Sequence, residues 1–286
     1  MRKRSRGLLV TNEITADDIS RYLNKRDDFD LELFAYRTLC ASGWDVVLGG
    51  TYVDAVTGKF RQFDVRASKT FSHGRVVVLC VECKGLRREN PLVVSRVERP
   101  FAESYHDILV LRPRPQIGDV VPSVAHCQAT GPTLYRQDEF AGKSMTQISK
   151  KNNDEFKVSD AETYDKWFQA LASSEPLITE IAHTPANHSA PAFYFFMPVL
   201  VISDETLWVV DYQADRSRMT PRLENEAVYF VNRDFKITYQ RFKGNYRQPH
   251  LHIETRVGFE RLIQKLDAPD SRFMDKIFGQ VLRSAP

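Results

Sequence analysis

An unbroken apolar run, Val76-Val77-Val78-Leu79-Cys80-Val81, stops abruptly at Glu82-Cys83-Lys84. A mostly β-branched run of this length reads as a central strand buried on both faces. Side chains alternate along a strand, so Glu82 and Lys84 project from one face at its end. A carboxylate and an ammonium in that position are costly unless partners surround them. Whatever else the chain does, it must build those partners.

The segment before it, Phe60–Ala67, alternates. Phe63, Val65 and Ala67 are expected on one face, and Gln62, Asp64 and Arg66 on the other. Ser68–Arg75, containing Ser72, His73 and Gly74, reads as a hairpin connection. If the two strands pair, Asp64 comes close to Glu82. Two carboxylates in one site repel unless a cation lies between them. Hard divalent ions such as Mg²⁺ take a few carboxylate oxygens plus water and substrate phosphate.

Asp64 followed by Glu82-x-Lys84 at the end of the next strand resembles the core motif of the PD-(D/E)xK, or restriction-endonuclease-like, nuclease superfamily. Phe29–Leu39 and then Gly43-Trp44-Asp45-Val46-Val47 resemble that superfamily's opening helix and first strand. Glu32 stands where the Mrr-like and Holliday-junction-resolvase-like branches carry an early helical glutamate. The resemblance covers residues 29–85 well and the remainder loosely. Phe63, not proline, precedes Asp64, a departure common in the superfamily.

The resemblance implies an α/β fold: a restriction-endonuclease-like mixed β-sheet flanked by helices, a long insertion after the third strand and a C-terminal α+β extension. Residues 1–28 are then a basic tail and short helix, 29–212 a nuclease-like core with insertion 85–160, and 213–286 an extension of the same domain. It implies a Mg²⁺-dependent endonuclease, with Mn²⁺ as a substitute, acting on DNA in restriction, anti-phage defence or repair. RNA stays open as substrate. Asp64, Glu82 and the Cys83 backbone carbonyl would hold the metal. Lys84 would orient water or steady developing charge, and Glu32 would hold a second metal or a metal-bound water. A catalytically inactive nuclease-fold module that binds nucleic acid or protein is the alternative. A third reading makes Glu82–Lys84 and Asp64–Arg66 simple ion pairs. A separate ATPase or sensor subunit and a homodimer are the partners left open.

Composition bounds these readings. With 286 residues and 42% hydrophobic content the chain can bury a full core. A formal net charge of +3 does not by itself demand a nucleic-acid partner. Cys80 and Cys83 form a CxxC without a second pair, and on a strand they point to opposite faces. They read as small buried hydrophobes in a reducing cytoplasm, and no stretch is long enough to suggest a membrane span.

Elsewhere the signals are local. Arg2, Lys3, Arg4 and Arg6 make a basic tail. Thr15 with Asp18 resembles a capping box opening a short polar helix. Leu31, Phe34, Ala35, Thr38 and Leu39 form the core stripe of the helix Phe29–Ser42, which Gly43 ends. Gly49-Gly50 marks a bend or a close backbone approach.

The proline-punctuated stretch Gly85–Asp160 reads as an elaborated insertion. Within it Arg87, Arg88, Arg96 and Arg99 are candidates for nucleic-acid backbone contacts. His106-Asp107 and Gly142-Lys143-Ser144 are weak metal and phosphate-loop echoes. Tyr164–Leu171 begins a helix whose Lys166 and Gln169 could reach a scissile phosphate. Strands are expected at Phe193–Ile202, Thr206–Tyr212, Ala227–Val231, Phe235–Tyr239 and His250–Glu254, and helices near Phe259–Leu266 and Phe273–Leu282. His250, His252 and Glu254 fall on one strand face, read as exposed, with a second metal site as the weaker reading.

Overall fold

A computed structural model describes residues 13–23, 28–114, 119–128, 133–152, 155–159, 168–183, 190–239, 242–268 and 272–284. Two helices open it, α1 (Ala16–Leu23) and α2 (Asp28–Ala41). The capping box is in place: Asp18 N donates to Thr15 Oγ1 at 3.2 Å, and Thr15 N donates back to Asp18 Oδ2 at 3.0 Å. Leu31, Ala35 and Leu39 bury the inner stripe of α2, and Gly43, at φ +70°, turns the chain out of it.

Three antiparallel strands follow: β1 (Asp45–Val53), β2 (Phe60–Phe71) and β3 (Arg75–Lys84). The hairpin turn is tighter than expected. It occupies only Ser72–Gly74, where His73 and Gly74 adopt φ +60° and +68°, so β2 runs on to Phe71. The expected single face of β2 is also broken. Val65 and Ala67 join the core beneath α2, whereas Phe63 packs with Tyr52 and Ala172. The break falls opposite Gly49, whose φ of +68° no L residue adopts readily. The next residue, Gly50, lies against the Phe63 ring, where a Cβ would sit 2.5 Å from it.

The stretch after Lys84 is woven into the sheet rather than set apart from it. It holds β4 (Leu92–Glu98), β5 (Tyr105–Arg114), β6 (Asp119–Gln128), β7 (Phe140–Lys150) and β8 (Phe156–Ser159). Then come α3 (Gln169–His183), β9 (Ala192–Ile202), β10 (Leu207–Tyr212), β11 (Arg222–Leu223), β12 (Glu226–Tyr239) and β13 (Phe242–Thr255). Helices α4 (Arg256–Asp267) and α5 (Arg272–Ser284) close the chain. The result is one 13-stranded mixed sheet, ordered β1-β2-β3-β9-β13-β12-β7-β4-β10-β11, with β5 and β6 beside β9 and β8 beside β7.

Strand β3 lies antiparallel to β2 and parallel to β9 along nearly its whole length. Val77, Leu79, Val81 and Cys83 pack under α2, α4 and α5, while Val76 and Val78 face Ile178 and Ala182 of α3. Strand β13, parallel to β9, carries the same register one step further, with Glu254 opposite Val201 and Val201 opposite Cys83. Among the described residues no helix is long and apolar enough to cross a membrane.

Leu79 is fully enclosed in this sandwich. Leu79→Ala should cost about 2–5 kcal/mol of unfolding free energy, read from urea denaturation. A change within error of wild type would mean that β3 is not the packed centre.

Candidate active site

The end of β3 gathers the charged residues. Val65 pairs with Val81, so Asp64 and Glu82 come next on neighbouring strands. Asp64 Oδ2 accepts a 2.7 Å hydrogen bond from the Cys83 N–H, and no described donor uses Oδ1. Glu82 is 8% exposed, and no described hydrogen-bond donor reaches its carboxylate.

Helix α2 delivers two more acids across the strand end. Its first residue, Asp28, accepts 2.5 Å and 2.6 Å bonds from Lys84 Nζ and the Gly85 N–H. Glu32 lies one turn further on, half-buried. Lys84 is therefore tied to Asp28 and not to Glu82. Arg66 turns away from Asp64, donating to the Ser173 carbonyl at 2.7 Å and lying over the Phe63 ring at 4.0 Å. The reading of Glu82–Lys84 and Asp64–Arg66 as simple ion pairs is not what the side chains do.

The electrostatics follow from that crowding. Burial first, then the Asp64 charge, pushes Glu82 up to about 9, against the pull of Lys84. Burial, then Asp64 and Asp28, pushes Glu32 up to about 7. Burial raises Asp64 as well, opposed by its bond from the Cys83 amide. Four carboxylates thus share one ammonium in a desolvated corner. A divalent cation suits such a set in kind. Among the described residues, however, no group of three His, Cys, Asp or Glu side chains is arranged to hold a metal ion. The donor chemistry is present without a ready-made cage.

Asp28 escaped sequence reasoning, which placed it at the end of the preceding segment. The available signal was its spacing of four from Glu32, which puts both on one helix face. Tyr52 was missed too. Its hydroxyl is buried without a partner among the described residues, and the Asp54 and Glu82 charges add to burial in raising it to about 12.

The arginine candidates separate. Arg87 and Arg88 are exposed on the loop after Lys84, Arg88 in an ion pair with Glu205. Arg96 makes a bidentate pair with buried Asp211, at 2.7 Å and 3.0 Å, and Arg99 is 1% exposed. Burial removes Arg99 from contact with a polymer lying on the surface, and Arg96, partly exposed, is committed to Asp211. Gln169 opens α3 and lines a cavity with Asp54, Arg61 and Arg233. Lys166 and the basic tail Arg2, Lys3, Arg4 and Arg6 lie outside the described residues.

Two other sequence echoes resolve as architecture. Asp107 is buried and bonds Arg247 and His126, while His106 Nε2 bonds the Ile277 carbonyl at 2.8 Å. Gly142-Lys143-Ser144 lies within strand β7, where Lys143 pairs with Glu103. His250, His252 and Glu254 were expected on an exposed face, yet all three are buried, because β13 lies inside the sheet with α4 and Tyr135 against it.

No protein-family model matches the chain, and neither a curated protein nor a solved structure does.

A pH signature follows from Glu82. Its value in the folded protein lies above the ordinary 4.5, so the folded state holds the proton more tightly and stability falls as pH rises from about 4.5 toward about 9. Glu82→Gln removes that loss. In EDTA at about pH 8.5 the variant should melt several degrees above wild type, with the gap closing near pH 5. Identical melting across the range would contradict the account of Glu82.

Proposed function

We propose that the chain is a Mg²⁺-dependent phosphodiester hydrolase of the PD-(D/E)xK, restriction-endonuclease-like kind, with DNA as its substrate. The observation that carries this reading is the pair Asp64 and Glu82 on adjacent strands, with Lys84 beside them and no described donor for the Glu82 carboxylate. A protein that only needed a stable strand end would gain by replacing Glu82 with an apolar residue. The chain order of α2, three strands, the β4–β8 stretch, α3 and further strands in one mixed sheet is compatible with that reading.

In this reading Asp64, Glu82 and the Cys83 carbonyl would hold the ion, with Glu32 beside them. When bound, the ion would supply a Lewis acid for the phosphate and a more acidic water. Hydrolysis adds a water oxygen to phosphorus, breaks the bond to the sugar oxygen and leaves a proton to be taken up. Glu32, half-buried beside that site, would orient the water and take up that proton. Lys84, fixed by Asp28, steadies the charge that builds on the phosphoryl oxygens. Arg87 and Arg88, exposed behind Lys84, contact the backbone.

The catalytically inactive, binding-only reading draws on two observations: Asp64 and Lys84 are already engaged, and among the described residues no three-ligand group converges. Cleavage of linear, supercoiled and single-stranded DNA with Mg²⁺, Mn²⁺ or EDTA separates the two. Metal-dependent cutting should fall at least about 100-fold in Asp64→Ala, Glu82→Ala and Lys84→Ala. Retained DNA binding with no cutting by wild type in either metal would favour the binding module. Cutting by the variants at the wild-type rate would remove both the site and the mechanism.

A further inference from the structure

Helix α3 covers its face of the sheet incompletely. Between it and strands β1, β2, β3 and β9 a cavity of about 710 Å³ is left, a volume in the range of small-molecule sites. Its walls are apolar and mostly aliphatic: Phe63, Val76, Val78 and Ala192 from the strands, Leu177 and Ile181 from the helix. The cavity lies at the hairpin end of β3, whereas Glu82 stands at the other end. Val76 and Glu82 are six residues apart on that strand, about 20 Å.

One cation enters this apolar space. Arg66 lines the cavity, half-buried, with its guanidinium carbon 4.0 Å from the centre of the Phe63 ring. Its Nη2 donates to the Ser173 carbonyl at 2.7 Å. Nε is enclosed, but Nη1 keeps solvent contact and donates to no described residue. Arg66 makes no ion pair with a described residue either. Burial lowers its hold on the proton, opposed by Cys80, Glu180 and Tyr52. A partly desolvated positive charge without a counter-ion is costly, and an anion brought to it would offset that cost.

Charge in the lining sorts by depth. Asp45 and Glu180 are exposed at the mouth, where water and salt screen them, while Arg66 lies against the apolar wall. Arg66 is also the one Lys, Arg or His among the described lining residues. A lone guanidinium behind two acids disfavours a polyanion such as a nucleotide and suits a group of single negative charge. The aliphatic walls ask for a body that buries hydrocarbon.

We propose that this cavity binds a small aliphatic monocarboxylate, a fatty-acid-like chain whose carboxylate meets Arg66 and whose tail lies along Val76, Leu177 and Ile181. The carboxylate accepts a charge-assisted hydrogen bond from Nη1, and the tail removes the walls from water. Neither contact uses the acids at the end of β3.

Titration calorimetry and thermal shift on the full chain test it, in EDTA to exclude carboxylate held by a metal at Asp64 and Glu82. The probes are octanoate, 1-octanol and octylammonium, all below their micellar concentrations. Octanoate should raise the melting temperature and bind about tenfold or more tightly than either of the others. Arg66→Gln should bring octanoate to the level of octanol and leave octanol itself unchanged. Ile181→Trp fills the cavity without touching the bonds of Arg66, and should weaken both. Absence of octanoate binding would overturn the proposal. So would octanol or octylammonium binding as tightly, or either variant binding octanoate like wild type. Should Arg66→Gln fail to fold, the comparison of head groups and Ile181→Trp decide the matter.

Discussion

Strand β3 is hydrogen-bonded on both edges and packed on both faces, and this double constraint fixes what stands at its end. Register with β2 and with β9 leaves no freedom to slide, since a slip of one residue would reverse every buried side chain. Glu82 is therefore held in a desolvated corner whether or not its charge is welcome there. Asp64 arrives from β2 through a kink that Gly49 permits, and helix α2 brings Asp28 and Glu32 over the same corner. Four acids and one lysine meet because a very stable piece of sheet puts them there. The energy comes from the apolar run; the chemistry is carried by the residues that interrupt it.

Much of this was legible in the sequence because β3 and α2 obey simple periodicities. The run Val76–Val81 has no reading other than a buried element, and Leu31, Ala35 and Leu39 recur at the helical spacing. Thr15 with Asp18, and Gly43, mark ends through local bonding and backbone conformation, which require no knowledge of the rest of the fold. Asp64 and Glu82 could be placed together because a hairpin of neighbouring strands was enough to align them.

What was not legible depended on partners far away in the chain. The residues after Lys84 looked irregular because prolines interrupt them, yet Pro122 lies on β6, which among the described strands pairs with β5 alone, so a missing N–H costs little. Pro198 sits inside the central strand β9, at the point where one edge has left β5 at Tyr194 and has not met β13 until Val199. His250, His252 and Glu254 read as an exposed face because alternation alone cannot show that α4 and Tyr135 will cover it. Arg96 and Arg99 looked like surface cations until Asp211 and Glu139, distant in sequence, were seen to meet them.

The central claim is that the carboxylates at the end of β3 take up a divalent cation in exchange for protons they hold against their ordinary tendency. Calorimetric titration of Mg²⁺ into the protein near pH 8, repeated in two buffers of different ionisation enthalpy, tests it most directly. The account predicts saturable binding whose heat depends on the buffer, because Glu82 must release its proton, and loss of that binding when Asp64 and Glu82 are both changed to Ala. No saturable heat, or the same titration from the double variant, would contradict it.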